Sequence, residues 1–319
     1  MFVVFVNQQS FAQYATKHYI APAPWNYASD ANEFIVSTSS TSAVSVIITK
    51  SDGTAVTTLS VIAGTPVAYR PTGSPGSLAA NSINTVYTDR GLIFTCAAPI
   101  AVSIRNVESD QVNGGRPNFI KGNAALSSYG NEAPGNVFRL GYYRNDYTGL
   151  YVFGGSATAP VYSVMAINNG TAVAVNGTIL VNLNAGESYL FQTTLGNLVT
   201  TNKPVVMNSG TWGDLPGGCR DAVFDEIPPV RVLGQEYIII RGSGTAGTAT
   251  NLPEQTTFVA TEPNTTVVVK NYNVAGTQIS TNTYTLLTAG SFQTIHHGDA
   301  VTAYSSTSLL SDKKIVVLE

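Results

Sequence analysis

Charged residues are scarce in this sequence of 319 residues. They make up 11% of the chain, where roughly 25% is typical of soluble domains. Asp and Glu (19) slightly outnumber Lys and Arg (16), which gives a formal net charge of −3. Nucleic-acid binding requires a basic patch or stripe, so this balance argues against nucleic acid as a partner.

Residues that bind transition metals are also rare. Two Cys and three His leave too few ligands for a zinc, haem or iron–sulfur centre. The sequence has no apolar run that approaches the length of about 18 residues needed by a membrane-spanning helix. We therefore expect no cofactor of these kinds and no membrane insertion.

Hydrophobic residues, in contrast, make up 44% of the chain. A chain of this length and composition can bury one large core or several smaller ones. The remainder is dominated by Ser, Thr, Asn and Gly rather than by charges. This composition is typical of extracellular proteins and favours a structural or binding role over that of a metalloenzyme.

The hydrophobic pattern alternates with a period of two along almost the whole chain. Val44 to Thr49 and Tyr162 to Ile167 are examples, rich in β-branched residues, and such alternation predicts strands. Asx-Gly pairs such as Asn176-Gly177 separate alternating segments, and they favour hairpin turns whose central residues need φ > 0. The pattern predicts an all-β fold.

One short sequence pattern recurs three times. A strand and turn lead to an Ala-Gly pair, then to a strand with aromatic or apolar residues, and later to a strand entered by Pro or Lys. The Ala-Gly pairs end at Gly64, Gly186 and Gly290, and the late strands begin near Pro99, Pro204 and Lys314. We expect the three glycines to occupy equivalent turns.

Short antiparallel strands usually bury one face by two-layer packing. We therefore predict three related antiparallel β-sandwich-like units packed in tandem. A β-propeller is the alternative, since blades of roughly 40–45 residues would also fill this length. The predicted division is residues 1–13 as the remnant of a secretion signal, 14–108 as unit 1, 109–135 as a connector, 136–213 as unit 2, and 214–319 as an acidic loop followed by unit 3.

A group of tyrosines around Arg144 and Asp146 is the first candidate site. Tyr rings can pack on a sugar face while polar neighbours take its hydroxyl groups, so this group is a candidate glycan platform. The alternative is a hairpin whose Tyr side chains cover the sheet. The candidate ligand-binding residues are Tyr142, Tyr143 and Tyr147.

The second candidate site is the loop from Trp212 to Val230, where acidic residues cluster in a chain that has few. Carboxylates this close repel one another unless they are solvated, paired with arginine or bound to a cation, and their hard oxygens suit Ca²⁺. The alternative is an inter-unit linker whose Phe224 and Ile227 fill a gap between sheets. The candidate ligand-binding residues are Trp212, Asp214, Arg220, Asp221, Asp225 and Glu226, with Asp221, Asp225 and Glu226 as the candidate calcium ligands.

Cys96 and Cys219 are a candidate disulfide. In an exported protein two Cys can pair, and a bridge across so long a loop would stabilise the fold. The alternative for Cys96 is a small buried thiol, because it ends an apolar run that begins at Leu92.

A series of short motifs in the segment 203–240 resembles the N-terminal domain of the IgGFc-binding protein family. They are Lys203-Pro-Val, Ser209-Gly, Cys219-x-Asp221, Glu226-Ile-Pro-Pro-Val230 and Gly234-x-x-Tyr237. In bacteria that domain occurs in large surface proteins of Bacteroidota with gliding-motility-type secretion signals. The resemblance implies a secreted, non-catalytic adhesion or interaction module, part of a longer surface protein.

Three classes of function remain open at this point. The first is an adhesin that binds an extracellular glycan or protein. The second is a structural subunit of a surface filament. The third is a glycan-active enzyme, which would need a cleft with two carboxylates, such as Asp225 or Glu226 with Asp214 or Asp221.

Overall fold

The computed structural model of the chain describes residues 13–24, 32–69, 79–80, 82–106, 125–142, 160–211, 223–240, 255–296 and 304–319. Within these ranges the chain consists of β-strands and two short 3-10 turns, without an α-helix. The prediction of an all-β fold is confirmed. No helix in this part of the chain is long and apolar enough to cross a membrane.

The first unit is built mainly from one seven-stranded sheet. The strands in this part of the chain are β1 (Ala15–Ile20), β2 (Ala23–Pro24), β3 (Asn32–Thr38), β4 (Val44–Lys50), β5 (Ala55–Val61), β6 (Val67–Tyr69), β7 (Ala79–Ala80), β8 (Val86–Tyr87), β9 (Leu92–Asn106) and β10 (Ala125–Ser127). The order is β5-β4-β9-β3-β6, and β1 and β10 also pair with β9. The short strands β2 and β7 pair with each other.

The second unit repeats this order. After a first 3-10 turn (Gly130–Glu132) come β11 (Gly135–Arg139), β12 (Val161–Ala166), β13 (Thr171–Val175), β14 (Thr178–Leu183), β15 (Ser188–Phe191), β16 (Leu198–Thr211) and β17 (Val223–Glu226). The sheet order is β14-β13-β16-β12-β15, extended by β8 from the first unit. Both β11 and β17 pair with β16, as β1 and β10 do with β9.

The third unit follows a second 3-10 turn (Val230–Val232) and has the same order in two separate sheets. Its strands are β18 (Glu236–Ile240), β19 (Gln255–Ala260), β20 (Thr265–Asn273), β21 (Gln278–Leu286), β22 (Phe292–His296), β23 (Tyr304–Ser311) and β24 (Ile315–Leu318). The sheets are β18-β23-β20-β21 and β22-β19-β24. Together β23 and β24 take the place of the single long strand of the other units.

The long strand of each unit passes from one layer of strands to the other. The early part of β9 pairs with β4 and its later part with β3, and β16 behaves in the same way with β13 and β12. The change of partner occurs around Pro99 and Pro204, and in the third unit around Lys314. Pro cannot donate to a ladder, so a corner between layers is a position where it is tolerated.

The Ala-Gly pairs occupy equivalent turns, as the sequence pattern predicts. Gly64, Gly186 and Gly290 have φ angles of 77°, 83° and 88°, a region that only glycine adopts freely. The residue after each glycine donates its N–H across the turn, at 3.0 to 3.1 Å. Each turn leads into a strand with an equivalent pairing partner: β6 pairs with β3, β15 with β12, and β22 with β19.

Three separate hydrophobic cores lie inside the three sets of strands. The strand pairings cross the predicted residue boundaries at β8, β10 and β17. Strand β8 of the predicted unit 1 pairs with β15 of the second unit, and β10, in the predicted connector, pairs with β9 of the first unit. Strand β17, which the sequence division places with unit 3, pairs with β16 of the second unit. Its Phe224 packs in the first core, and Ile227 just after it packs in the second. Each core contains a close aromatic pair: Phe34 with Phe94, Tyr162 with Phe191, and Phe258 with Tyr284.

Candidate functional site

Three of the candidate ligand-binding residues lie in the described part of the chain: Tyr142, Asp225 and Glu226. The others lie outside the described residues, and so does Cys219; they are Trp212, Asp214, Arg220, Asp221, Tyr143 and Tyr147. The structure therefore bears on the second half of the acidic loop and on one residue of the tyrosine group.

Asp225 and Glu226 are held in place by strand β17. Glu226 lies opposite Asn208 and Asp225 opposite Ser209 in the β16–β17 ladder. Side chains alternate along a strand, so Glu226 is on the same side as Phe224, which packs in the core of the first unit. This anchoring brings a carboxyl group of the second unit against the connector that follows the first.

Glu226 is buried at this contact, with 1% of its surface exposed. One carboxyl oxygen, Oε2, accepts a hydrogen bond from the backbone N–H of Tyr129. The other, Oε1, has no hydrogen-bond partner among the described residues. The pKa of Glu226 is raised to about 8, chiefly by burial and to a smaller extent by the charge of the nearby Asp225, while the hydrogen bond from the backbone N–H of Tyr129 works in the opposite direction. The carboxyl group is therefore mostly protonated at neutral pH.

Asp225 is half-buried beside it. Its Oδ1 accepts a hydrogen bond of 2.8 Å from the backbone N–H of Glu226. Burial raises the pKa of Asp225 to about 6, and the hydrogen bond to Glu226 works in the opposite direction. The two carboxyl groups thus have separated pKa values, and both are shifted towards the neutral form because they have lost hydration.

Both carboxyl groups line a cavity of about 550 Å³, which we call the junction pocket. Residues of all three units surround it, together with the connector after the first unit and the segment 227–235 between β17 and β18, which we call the second connector. They are Tyr14, Tyr129, Asn131, Glu132, Gly141, Asp225, Glu226, Ile227, Pro228, Val232, Leu233, Gly234, Tyr237, Val316, Val317 and Leu318. A volume in this range is typical of sites for small ligands.

The electrostatic character of the junction pocket is acidic. Its described lining includes three carboxyl groups, those of Glu132, Asp225 and Glu226, and no Lys, Arg or His. Tyr129 and Tyr237 have raised pKa values, chiefly because they are buried, so both keep their phenolic protons. The pocket therefore offers carboxyl oxygens, phenol groups and an apolar wall.

Arg231 and Lys314 fix the two connectors that frame the pocket. Arg231 forms an ion pair with Glu132, and it donates to the carbonyl oxygens of Glu132 and Pro134 at 3.0 and 3.1 Å. Lys314 donates to the carbonyl oxygen of Arg231 at 2.5 Å. The connectors are thus joined to each other and to the third unit.

Tyr142 lies behind the pocket wall rather than on an open surface. It is 2% exposed and packs with Leu195, Leu233, Val259 and Val316. A ring enclosed in this way belongs to the contact between the second and third units, where it is not available as part of a glycan platform.

The candidate calcium ligands are only partly described, because Asp221 lies outside the described residues. Within the described ranges no group of three or more His, Cys, Asp or Glu is arranged to hold a metal ion. Ca²⁺ takes ionised carboxylates, and the raised pKa values of Asp225 and Glu226 oppose ionisation. Calcium binding here stays a prediction.

Cys96 is a buried cysteine on β9, without a disulfide partner among the described residues. It packs in the first core, as the alternative for this residue describes. Its predicted partner, Cys219, lies outside the described residues, so the disulfide stays a prediction.

Several residues of the junction pocket have no signal in the sequence. Tyr14 and Tyr129 belong to the first unit and its connector, and Val316 to Leu318 lie far along the chain in β24. Other lining residues do belong to motifs quoted for the family resemblance: Glu226, Ile227 and Pro228 to Glu226-Ile-Pro-Pro-Val230, and Gly234 and Tyr237 to Gly234-x-x-Tyr237. The pocket exists because three units meet, which no single segment of sequence encodes.

Comparison with protein-family models assigns this chain to a family. A family model for IgGFc binding protein matches residues 142–319, which is more than half of the chain. The match includes Asp225, Glu226, both flanks of the second connector and the whole third unit. No curated protein sequence matches the chain.

Proposed function

Because the chain belongs to the IgGFc-binding protein family, an extracellular binding module is indicated, and we propose that it acts in adhesion by holding a protein partner. The partner inserts a basic side chain, Lys or Arg, into the junction pocket. Asp225 makes the direct contact and Glu226 lies behind it. The protein performs no catalytic step in this proposal.

The observation that carries this proposal is the buried, unpartnered oxygen of Glu226 next to Asp225. A buried polar atom without a partner costs free energy, and a ligand that supplies a donor removes that cost. Arg231, which adjoins the lining residue Val232, is already paired with Glu132. The pocket therefore has an excess of acidic groups that an incoming cation would balance.

A cation in the pocket would also change the protonation of the two acids. A positive charge within a few ångströms favours the ionised form of a carboxyl group. Glu226, with its pKa of about 8, would then lose its proton as the ligand binds. Binding should therefore release protons at neutral pH and become tighter as the pH rises towards 8.

A glycan is the second candidate ligand, favoured by a different observation. Asn131, Tyr129 and Tyr237 line the same pocket, and amide and phenol groups can exchange hydrogen bonds with sugar hydroxyls. A neutral glycan would bind without releasing protons, because it brings no charge. Proton release therefore separates the two ligand classes.

The test is calorimetric titration of the full chain with short acetylated, amidated peptides that carry Lys, Arg or norleucine at the central position. We expect heat with Lys and Arg and none with norleucine, which has a similar apolar stem without the charge. Asp225→Asn should abolish the heat. Glu262→Gln, at an exposed carboxyl group outside the pocket, is the matched control and should bind like the wild type. Equal binding of the norleucine peptide, or a positive glycan array without peptide binding, would contradict the basic side chain.

We also propose that the protein is exported and displayed on a bacterial cell surface of the Bacteroidota type, as part of a gliding-motility-type adhesin. The family and the low-charge, Thr- and Asn-rich composition support this placement. Brief protease treatment of intact producing cells should remove the protein, while a cytoplasmic marker protein survives. Full protection of the protein in intact cells would argue against surface display.

A further inference from the structure

The contact between the first and second units, which we call the first seam, is made by the residues at the end of strand β1. Tyr19 and Ala21, at the end of β1, pack against Met165 and Val206 of the second unit. Asn208 donates a hydrogen bond of 2.7 Å from Nδ2 to the carbonyl oxygen of Ala21. The end of β1 is thus covered by the middle of the next unit.

The contact between the second and third units, the second seam, is built from the corresponding strand. Arg139, at the end of β11, donates to the carbonyl oxygen of Thr261 at 3.5 Å. A Cβ placed on Gly141 would lie 2.3 Å from Leu318 and 2.8 Å from Val316, so the chain there lies directly against β24. The end of β11 is therefore covered as the end of β1 is.

The positions in the two seams correspond by strand register. In the unit whose strand end is covered, Tyr19 pairs with Ile93 in the first seam and Arg139 pairs with Leu198 in the second. Ile93 and Leu198 precede the proline at the corner of their long strand, Pro99 and Pro204 respectively, by the same number of residues. In the third unit the residue at this position is Ser308, and its partner is Ile238. Ile238 is therefore the equivalent of Tyr19 and Arg139.

The accepting side of each seam is one cross-strand pair. In the first seam it is Met165 with Val206, and in the second the equivalent pair is Val259 with Val316. All four side chains are buried. The same pair in the first unit is Ser37 with Ala101, and these two residues are only half-buried.

The third unit leaves its strand end uncovered. Ile238 is 71% exposed and Ile240 is 78% exposed, whereas the equivalent residues of the other two units take part in seams. Leu310, on the neighbouring strand β23, adds a further exposed apolar side chain. Edge strands with apolar faces are usually protected in soluble proteins, and exposed apolar patches often mark interaction surfaces.

We propose that the β18 face of one copy of this chain docks on the Ser37–Ala101 pair of a second copy. The third unit of one molecule then meets the first unit of the next in a third seam of the same kind. A second copy is the partner that fits this face because the chain already forms the same kind of seam twice, between units that have the same strand order. Such a contact is heterologous, head to tail, so it extends into a filament unless its rotation closes a ring.

The test is sedimentation velocity of the full chain over a range of concentrations. We expect the wild type to form oligomers that grow beyond the dimer with concentration. The double variant Ile238→Thr/Ile240→Thr keeps β-branched side chains but removes apolar surface, and its self-association should be about tenfold weaker or more. Ile179→Thr, at another exposed isoleucine on β14, is the matched control and should associate like the wild type.

A mixing experiment tests the head-to-tail geometry. Ala101→Lys should block the accepting side and leave the β18 face intact, so this variant alone should be monomeric. Mixed with the Ile238→Thr/Ile240→Thr variant it should form a one-to-one dimer and nothing larger, because one intact junction remains. A monomeric wild type at all concentrations, or oligomers that persist in both variants, would overturn the proposal. Peptide binding in the junction pocket should survive in the β18 variant, which keeps this test separate from that of the proposed function.

Discussion

The backbones of Gly196 and Gly290 are in direct contact. A Cβ placed on Gly196 would lie 2.0 Å from the carbonyl oxygen of Gly290, and one on Gly290 would lie 2.4 Å from that of Gly196. Both glycines have φ above +80°. The second and third units can therefore approach as they do only because neither turn carries a side chain.

Replacement of glycine by alanine should reduce the free energy of unfolding by different amounts in two equivalent Ala-Gly turns. Gly64 and Gly290 occupy equivalent turns with similar φ, but nothing lies within 4 Å of a Cβ on Gly64. Gly64→Ala should cost about 1–2 kcal/mol, the price of a left-handed residue. Gly290→Ala should cost about 1–3 kcal/mol more, since its Cβ overpacks against backbone.

Urea denaturation of the two variants checks this difference. Gly186→Ala provides a second case, because its Cβ would lie 2.4 Å from the carbonyl oxygen of Ser51 in the first unit. It should behave like Gly290→Ala. Equal losses at all three positions would mean that the seams do not depend on these backbone contacts.

Phe224 should couple the first two units. It belongs to β17 of the second sheet but is 3% exposed within the core of the first unit. Phe224→Ala should reduce the free energy of unfolding by about 3–5 kcal/mol, as truncation of a buried ring does. Phe292→Ala, at a ring that is 36% exposed, is the control and should cost much less. Similar losses in chemical denaturation would contradict the position of Phe224.

The buried carboxyl group of Glu226 makes stability depend on pH. Its pKa is about 8 in the folded protein and 4.5 ordinarily, so the folded state binds the proton more tightly than the unfolded state. Stability from this group is complete below about pH 4.5 and is lost as the pH rises through about 8. Glu226→Gln keeps an acceptor for the N–H of Tyr129 and should remove this part of the pH dependence.

Denaturation midpoints across this pH range measure the effect, with Glu262→Gln as the control. Asp225 contributes in the same direction at lower pH, between its ordinary value of 3.8 and about 6. If wild type and Glu226→Gln lost stability in parallel as the pH rose, Glu226 would not be protonated in the folded protein.

Calcium binding by Asp221, Asp225 and Glu226 should become stronger with pH. Metal ligands must be deprotonated, so a metal competes with protons for the site. We expect the thermal stabilisation by millimolar Ca²⁺ to increase as the pH rises from about 6 to about 8, where the two described carboxyl groups ionise. Asp221→Ala and Asp225→Ala should each reduce it. The absence of stabilisation at every pH in this range would contradict calcium binding by these residues.

Local chemistry explains which parts of the fold could be predicted. The turns at Gly64, Gly186 and Gly290 need φ > 0, so the sequence marks them directly. Strand alternation likewise follows from the burial of one face. These features depend on neighbouring residues along the chain and were accessible from sequence alone. The sequence predicts strand starts near Pro99 and Pro204, but both prolines lie inside longer strands, β9 and β16, where the strand changes its pairing partner. A missing N–H is tolerated at a strand start and at such a corner alike, so proline alone does not distinguish the two.

The site depends instead on contacts between distant segments. Glu226 and Tyr129 are 97 positions apart, and no local pattern indicates that they meet. The sequence marked Asp225 and Glu226 as acids in a cluster, but it did not indicate the burial that raises their pKa values. Tyr142 shows the same limit, because its aromatic neighbours suggested a surface and tertiary packing enclosed it.

The measurement that tests the proposed pocket most directly is proton release on peptide binding. The lysine-centred peptide is titrated into the wild type at neutral pH in two buffers with different ionisation enthalpies. We expect the heats to differ by an amount that corresponds to release of about one proton per peptide, because the ammonium group ionises Glu226. Glu226→Gln should show no such difference. Peptide binding with no proton release by the wild type would contradict an ion-paired side chain beside Asp225 and Glu226.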